Sequence, residues 1–157
     1  MKPHIGISER KLVNTASILS VVLADEMTLY VKTRKFHWNI YGESFMELHK
    51  LFENHYKQLE EIIDEVAERI SKLGEQTIGT MKEFLSLTSI KESAGKYPKQ
   101  NEMLHELLAD HETVIVQLRK YIDKQQKESI DAGTIDFITG LLQQHETISW
   151  ILRRYLK

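Results

Sequence analysis

Between His49 and Glu68 the chain carries two pairs of side chains able to bind a metal ion: His49 with Glu53, and Asp64 with Glu68. On a helix turning about 100° per residue, setting His49 at zero puts Glu53 near 40°, Asp64 near 60° and Glu68 near 100°. The four share one stripe, beside the apolar stripe and where a second packing surface would begin. Axial distance then decides how they can act. His49 and Asp64 are 15 residues apart, roughly 22 Å at a rise of ~1.5 Å per residue. Metal–ligand bonds of ~2 Å, and paired metals ~4 Å apart, do not span that. If both ends bind one metal, they come from different chains. An antiparallel pair of such helices across a two-fold axis, crossing near residues 57–59, brings His49 of one chain to Asp64 and Glu68 of the other. His37 falls in the apolar stripe of the preceding segment, near 340° with Leu12 at zero, so it faces inward and can join the site. Two imidazoles with two or three carboxylates form a hard-to-borderline donor set without sulfur. It suits Fe(II), Mn(II) or Zn(II) and, with open positions, iron redox chemistry. Carboxylates favour the harder Fe(III) product, and Trp38 or Tyr56 stands close enough in sequence to supply an electron.

These side chains need long helices to hold them. Leu12, Ala16, Leu19, Leu23 and Tyr30 step by 4, 3, 4 and 7, one face of a helix over about residues 9–38. Ser8 is its expected N-cap and Gly42 marks the following loop. Ser44 with Glu47 has the capping-box pattern and is expected to start a second helix. Phe45, Leu48, Phe52, Leu59, Ile63, Val66, Ile70 and Leu73 line that helix, and Gly74 stops it. A weaker region follows, with a short helix at 81–87 and breaks at Gly95 and Pro98. A third long helix is expected over about 100–126, on Leu104, Leu108, His111, Ile115, Leu118 and Ile122. A fourth spans about 134–155, on Ile138, Leu141, His145, Ile148, Leu152 and Tyr155. The expected architecture is all-α: a four-helix bundle, with a long middle connection that returns the chain along the bundle and resembles the ferritin topology.

Composition agrees and narrows the options. A chain of 157 residues suits one domain spanning 1–157, and 7 Gly with 2 Pro argue against an all-β fold. The absence of cysteine excludes disulfides, thiolate zinc sites and Cys nucleophiles. With 41% hydrophobic and 28% charged residues the composition is that of a soluble globular protein. No stretch is expected to span a membrane, no signal peptide is apparent, and the default compartment is the cytoplasm. A net charge of -2 gives no global pull toward nucleic acid.

Phe36-His37-Trp38-Asn39, Gly42, Leu48-His49, Phe52-Glu53-x-x-Tyr56 and Asp64-x-x-Ala67-Glu68-Arg69-Ile70-x-x-Leu73-Gly74 together resemble the Dps family, the DNA-binding proteins from starved cells. The resemblance covers essentially the whole chain. It implies a ferritin-like subunit, a hollow twelve-subunit shell, and ferroxidase sites between subunits where hydrogen peroxide oxidises Fe(II) before ferric mineral is stored inside. Zn(II) is the alternative occupant. Carried over position by position, His37 and His49 come from one subunit, Asp64 and Glu68 from its two-fold mate, and Glu53 sits near the second iron. The family also implies acidic pores on three-fold axes near the start of the last helix. Asp136 is the best match to a pore position and Asp131 a weaker one, with helix capping as the alternative for both.

The competing function is DNA binding and protection with secondary iron chemistry. Family members that compact DNA often do so through mobile cationic tails, whereas the terminal cations here are only Lys2, Arg10, Lys11, Arg153, Arg154 and Lys157. Few mobile cations mean little phosphate affinity, although many copies on one shell would add avidity. His111 and His145 read as core histidines. The single Glu102-x-x-His105 reads as incidental, since di-iron bundles use two such motifs.

Overall fold

A computed structural model describes residues 3–127 and 131–156. Lys2 and Lys157 among the terminal cations, and Glu128, Ser129 and Ile130 beside the expected pore, lie outside the described residues. Five helices follow in order: α1 (Glu9–Asn39), α2 (Phe45–Lys72), α3 (Met81–Leu87), α4 (Gln100–Lys127) and α5 (Ala132–Tyr155). No strand occurs among the described residues.

The short corner at residues 40–44 folds α2 back against α1, and α4 and α5 form a second antiparallel hairpin. Residues 73–99 carry the chain back along the bundle, so α4 runs parallel to α2. Gly74 ends the α2 turn with φ +86°, and a Cβ there would stand 2.5 Å from the Pro3 ring. No other residue type fits both constraints. The return segment is held by Asp25, buried on α1, whose carboxylate accepts from the Thr88 and Ser89 hydroxyls and the Ser89 backbone N–H. Across the bundle, buried Lys32 pairs with Asp110 of α4 at 2.6 Å. Arg69 of α2 donates to Asp131 and Thr134 at the start of α5.

Several details differ from the expectations. Ser8 and Ser44 occupy N-cap positions, but neither side chain makes a cap hydrogen bond. Glu47 does not close a capping box: its carboxylate accepts instead from the Tyr155 hydroxyl at 2.9 Å. The capping box present is Thr80 with Glu83, which starts α3. On α2 the buried face is Leu48, Phe52, His55, Leu59, Ile62, Val66 and Ile70. Phe45 is 38% exposed and Ile63 only partly buried. Finally, α1 is apolar and long enough by composition to cross a membrane, with a mean hydropathy of 1.4 over its best window, contrary to the expectation that no stretch would be. It is the core helix, with most of its apolar positions buried against α2, α3 and α4, although Val13 and Trp38 are exposed.

Candidate metal centre

The α1–α2 corner brings His37, in the last turn of α1, against His49, in the second turn of α2. Their rings stack with centroids 3.8 Å apart and planes at 21°. His37 Nδ1 lies 2.8 Å from the His49 carbonyl oxygen, and His49 Nδ1 lies 2.9 Å from the His37 carbonyl oxygen. A carbonyl only accepts, so each Nδ1 carries the proton and donates. In the neutral rings both Nε2 atoms then hold a lone pair. A metal-ligating imidazole is ordinarily prepared in this way, with its second ring nitrogen donating to a carbonyl that fixes ring and tautomer. Both histidines are half-buried, near enough to the surface for a partner to complete a site.

Tyr56 stands edge-on to His37 at 5.2 Å between centroids and edge-on to Tyr30 at 6.2 Å. The Arg34 guanidinium lies over the Tyr56 ring at 4.6 Å and over Trp38 at 5.3 Å. Of the two candidate electron donors, Tyr56 is therefore the one touching the histidine pair, whereas Trp38 is 65% exposed. Glu53, one turn after His49, is clamped by Lys50 at 2.7 Å and Lys57 at 2.5 Å. Hydrogen bonds from Lys50 and then Lys57 pull its carboxyl down to about 2, so it is ionised at any physiological pH.

Asp64 and Glu68 lie on the same face farther along α2, and both are exposed. Lys72 pairs with Glu68 at 2.8 Å and lowers its carboxyl from the ordinary value. Asp64 lines an open groove of about 730 Å³ between α1 and α2, together with Met27, Tyr30, Ile63 and Ala67. Because α2 is unbroken from Phe45 to Lys72, the separation of His49 from Asp64 stays at roughly 22 Å. The structure thus brings His37, His49 and the start of Glu53's turn together and leaves Asp64 and Glu68 apart. Among the described residues of one chain, no group of three or more His, Asp or Glu side chains is placed to hold a metal ion.

Residues 16–157 match the family model of the ferritin-like domain. The chain is 36% identical over 140 residues to DNA protection during starvation protein 2 of Bacillus anthracis, covering 88% of this chain and 94% of that one. The chain belongs to the Dps family. It is also 42% identical over 154 residues to an uncharacterized low temperature-induced protein of Nostoc sp., covering 98% of this chain and 86% of the other. Among solved structures, the Dps protein of Vibrio cholerae superposes with a TM-score of 0.92 at 29% identity, covering 99% of this chain and 97% of that one. That protein is described as a member of a broad superfamily of ferritin-like diiron-carboxylate proteins.

In this Dps chain the bundle centre holds a further set of polar side chains, only half of which the sequence singled out. His111 of α4 and His145 of α5 are buried, as expected, and their Nδ1 atoms lie 2.8 Å apart. Glu26 of α1, fully buried, meets His145 Nε2 at 2.8 Å. His55 of α2 is 2% exposed and edge-on to His111 at 6.4 Å. The signals for the missed pair were present: a charge inside the most apolar helix, and a histidine on the 48–52–55–59 stripe. At the other end of α5, Asp131 is the N-cap, accepting from Gly133 and Thr134 N–H groups. Asp136 is exposed one turn on. Glu102 accepts from the Lys99 N–H at the start of α4, and His105 is exposed, in keeping with an incidental Glu-x-x-His.

Proposed function

We propose that the chain is a ferroxidase and iron-storage subunit of a hollow dodecamer, oxidising Fe(II) with hydrogen peroxide at sites shared across two-fold interfaces. The observation that carries this is the His37–His49 pair, whose reciprocal Nδ1 bonds leave two Nε2 lone pairs available, while the carboxylates that would complete the site, Asp64 and Glu68, sit more than half the length of α2 away. A second subunit, antiparallel along α2 and covering the groove beside Asp64, supplies Asp64 and Glu68 to the partner's histidines and receives the same in return.

Iron is the substrate here. Two Fe(II) ions each give up one electron; one peroxide takes both, together with two protons, and leaves as two waters. The ionised carboxylates offset the loss of water around Fe(II) and hold Fe(III) more tightly than Fe(II). Glu53 serves the second iron position, and the ion takes it from Lys50 and Lys57. Tyr56, in contact with His37, is placed to reduce a stray one-electron oxidant before it leaves the site. Admission of Fe(II) is assigned to Asp136 at the three-fold pores, since acidic constrictions concentrate cations; Asp131 is committed to its cap and to Arg69. The place of action in this scheme is the bacterial cytoplasm.

DNA protection is the second reading, favoured by the name of the Bacillus anthracis relative. Against it, Arg153 pairs with Glu112 at 2.8 Å and the Arg154 guanidinium lies over Trp150. The deciding experiment is an anaerobic titration of Fe(II)-loaded protein with peroxide, followed at the ferric absorbance. An end point at two Fe(II) per peroxide, faster than in protein-free buffer, is expected; no acceleration over buffer contradicts the proposal.

A further inference from the structure

Tyr30, Arg34 and His37 stand at i, i+4 and i+7 on α1, and His49 and Tyr56 at i and i+7 on α2, so each set shares one helix face. The antiparallel corner lays one face on the other. His37 stacks on His49, Tyr56 stands edge-on to His37 at 5.2 Å between centroids, and Tyr30 stands edge-on to Tyr56 at 6.2 Å. Ring contacts therefore run unbroken from the histidine pair back to Tyr30. Tyr30 also lines the open groove beside Asp64, together with Glu60 and Glu61. One line of aromatic side chains thus joins the histidine end of the chain to its carboxylate end.

Arg34 sits in the middle of that line. Its guanidinium lies over the Tyr56 ring at 4.6 Å and over the Tyr30 ring at 5.4 Å, and its Nη1 donates to the Tyr30 hydroxyl oxygen at 2.6 Å. The bond to Tyr30 raises the guanidinium above the ordinary arginine value, so the charge is permanent. Two effects follow. A fixed cation over a phenol ring opposes positive charge on that ring, so an electron leaves it only together with the hydroxyl proton. Because Arg34 is the donor in its bond to Tyr30, the Tyr30 hydroxyl keeps its own proton free to leave toward the groove, where Glu60, Glu61 and Asp64 stand as acceptors.

We infer that Tyr56 and Tyr30 form a two-step electron relay from the histidine pair to the groove beside Asp64, with Arg34 as the residue that positions both rings. The oxidant is a hydroxyl radical, formed with hydroxide and Fe(III) when one Fe(II) meets one peroxide at the histidine end. It takes an electron and a proton from the Tyr56 phenol and leaves as water. The Tyr56 phenoxyl regains an electron from Tyr30 and a proton from water, while Tyr30 gives its own proton to the groove. Fe(II) beside Asp64 returns the electron and becomes Fe(III), and the Tyr30 oxygen takes back a proton. Once the hydroxide is protonated, two Fe(II), one peroxide and two protons have given two Fe(III) and two waters. The relay rests on the ferroxidase reading for its oxidant and its iron. In a dimer with split sites, the histidine end and the groove of one chain serve different sites, so the relay passes an electron between them.

The test is high-field EPR of frozen assemblies carrying Tyr41→Phe and Tyr97→Phe, which removes the exposed tyrosines. The gx value of a phenoxyl radical falls when its oxygen accepts a hydrogen bond, so a radical resting on Tyr30 reports Arg34 directly. In iron-free protein the electron is removed by flash-generated tris(bipyridine)ruthenium(III). A radical of lowered gx is expected, shifted up to the free-phenoxyl value by Arg34→Met. Tyr30→Phe is expected to replace it with the signal of Tyr56, lost in turn when Tyr56→Phe is added. In Fe(II)-loaded protein quenched after peroxide, Tyr30→Phe strands the radical on Tyr56 and is expected to lengthen its life several-fold. That variant loses one oxygen and keeps the ring, so it decides the matter even where Arg34→Met disturbs the corner. A gx unmoved by Arg34→Met in folded protein, or a radical lifetime unmoved by Tyr30→Phe, overturns the relay. Failure of the ferroxidase reading shows separately, as Fe(II) oxidation no faster than in buffer while the iron-free signals still support the relay.

Discussion

His37 and His49 each hydrogen-bond, through Nδ1, to the other's backbone carbonyl, at 2.8 and 2.9 Å. The acceptors are main-chain atoms, so His37→Ala keeps the carbonyl that fixes the His49 tautomer and removes only one candidate ligand and the ring stacked on the other, 3.8 Å away between centroids; the same holds for His49→Ala. Either single substitution is expected to weaken Fe(II) binding about 10-fold or more, and the double is expected to cost less than the product of the two. Asp64→Ala with Glu68→Ala removes the charge that offsets Fe(II) desolvation and is expected to abolish tight binding. Anaerobic calorimetry of Fe(II) binding measures all four; wild-type affinity in the double carboxylate variant contradicts the ligand assignment.

Asp131 gives a stability prediction with a definite pH dependence. Burial raises its carboxyl, but the Thr134 hydroxyl, the Gly133 and Thr134 N–H groups and Arg69 outweigh that and hold it below the ordinary value. A folded-state value below the unfolded one means the stabilisation is fully present above about pH 4 and lost as pH falls through the lowered value. Asp131→Ala is expected to cost about 1 kcal/mol at pH 7, typical of a lost N-cap, and to flatten the decline of the thermal midpoint below pH 4. An unchanged midpoint at pH 7 contradicts the capping role.

The elements were largely legible in the sequence, because helical periodicity with few glycines leaves little alternative to a bundle. The register of α2 was not. Ile62 and Ile63 are both spaced plausibly from Leu59, and only the neighbouring helices decide that Ile62 is buried while Ile63 lines the open groove. His55 went unnoticed since a polar residue type breaks an apolar stripe on paper, although burial treats it as a stripe member. Ser44 and Glu47 match a capping box in type and spacing, yet Tyr155, 108 residues downstream, takes the carboxylate. Local patterns lose where a tertiary partner competes. At the candidate metal centre, residue types and axial spacing sufficed to separate the histidines from Asp64 and Glu68; the reciprocal carbonyl bonds that fix the rings needed the corner geometry.

Asp136 is exposed on the first turns of α5 and does not cap it. Asp136→Asn is expected to slow mineral deposition several-fold and to weaken its dependence on ionic strength, leaving the assembly and the thermal midpoint unchanged. Uptake equal to wild type at low salt contradicts a pore role for this residue.

For DNA, two of the terminal cations, Arg153 and Arg154, are already engaged, by Glu112 and by the Trp150 ring. Gel retardation of linear DNA is expected only at low salt and to disappear by about 0.15 M, where weak phosphate contacts are screened. Retention at that salt concentration would favour the DNA-protecting reading.

The split site is tested most directly by mixing subunits. Assemblies formed from equal amounts of the His37→Ala/His49→Ala chain and the Asp64→Ala/Glu68→Ala chain contain no chain with a full ligand set. If each site takes its histidines from one subunit and Asp64 and Glu68 from its two-fold mate, half of the randomly formed dimers are mixed and each mixed dimer holds one intact site of two. Fast peroxide-dependent Fe(II) oxidation is then expected to return to about one quarter of the wild-type amplitude, from near zero in either parent assembly. Mixed assemblies no more active than their parents, with subunit exchange verified by mass, would contradict a site shared between chains.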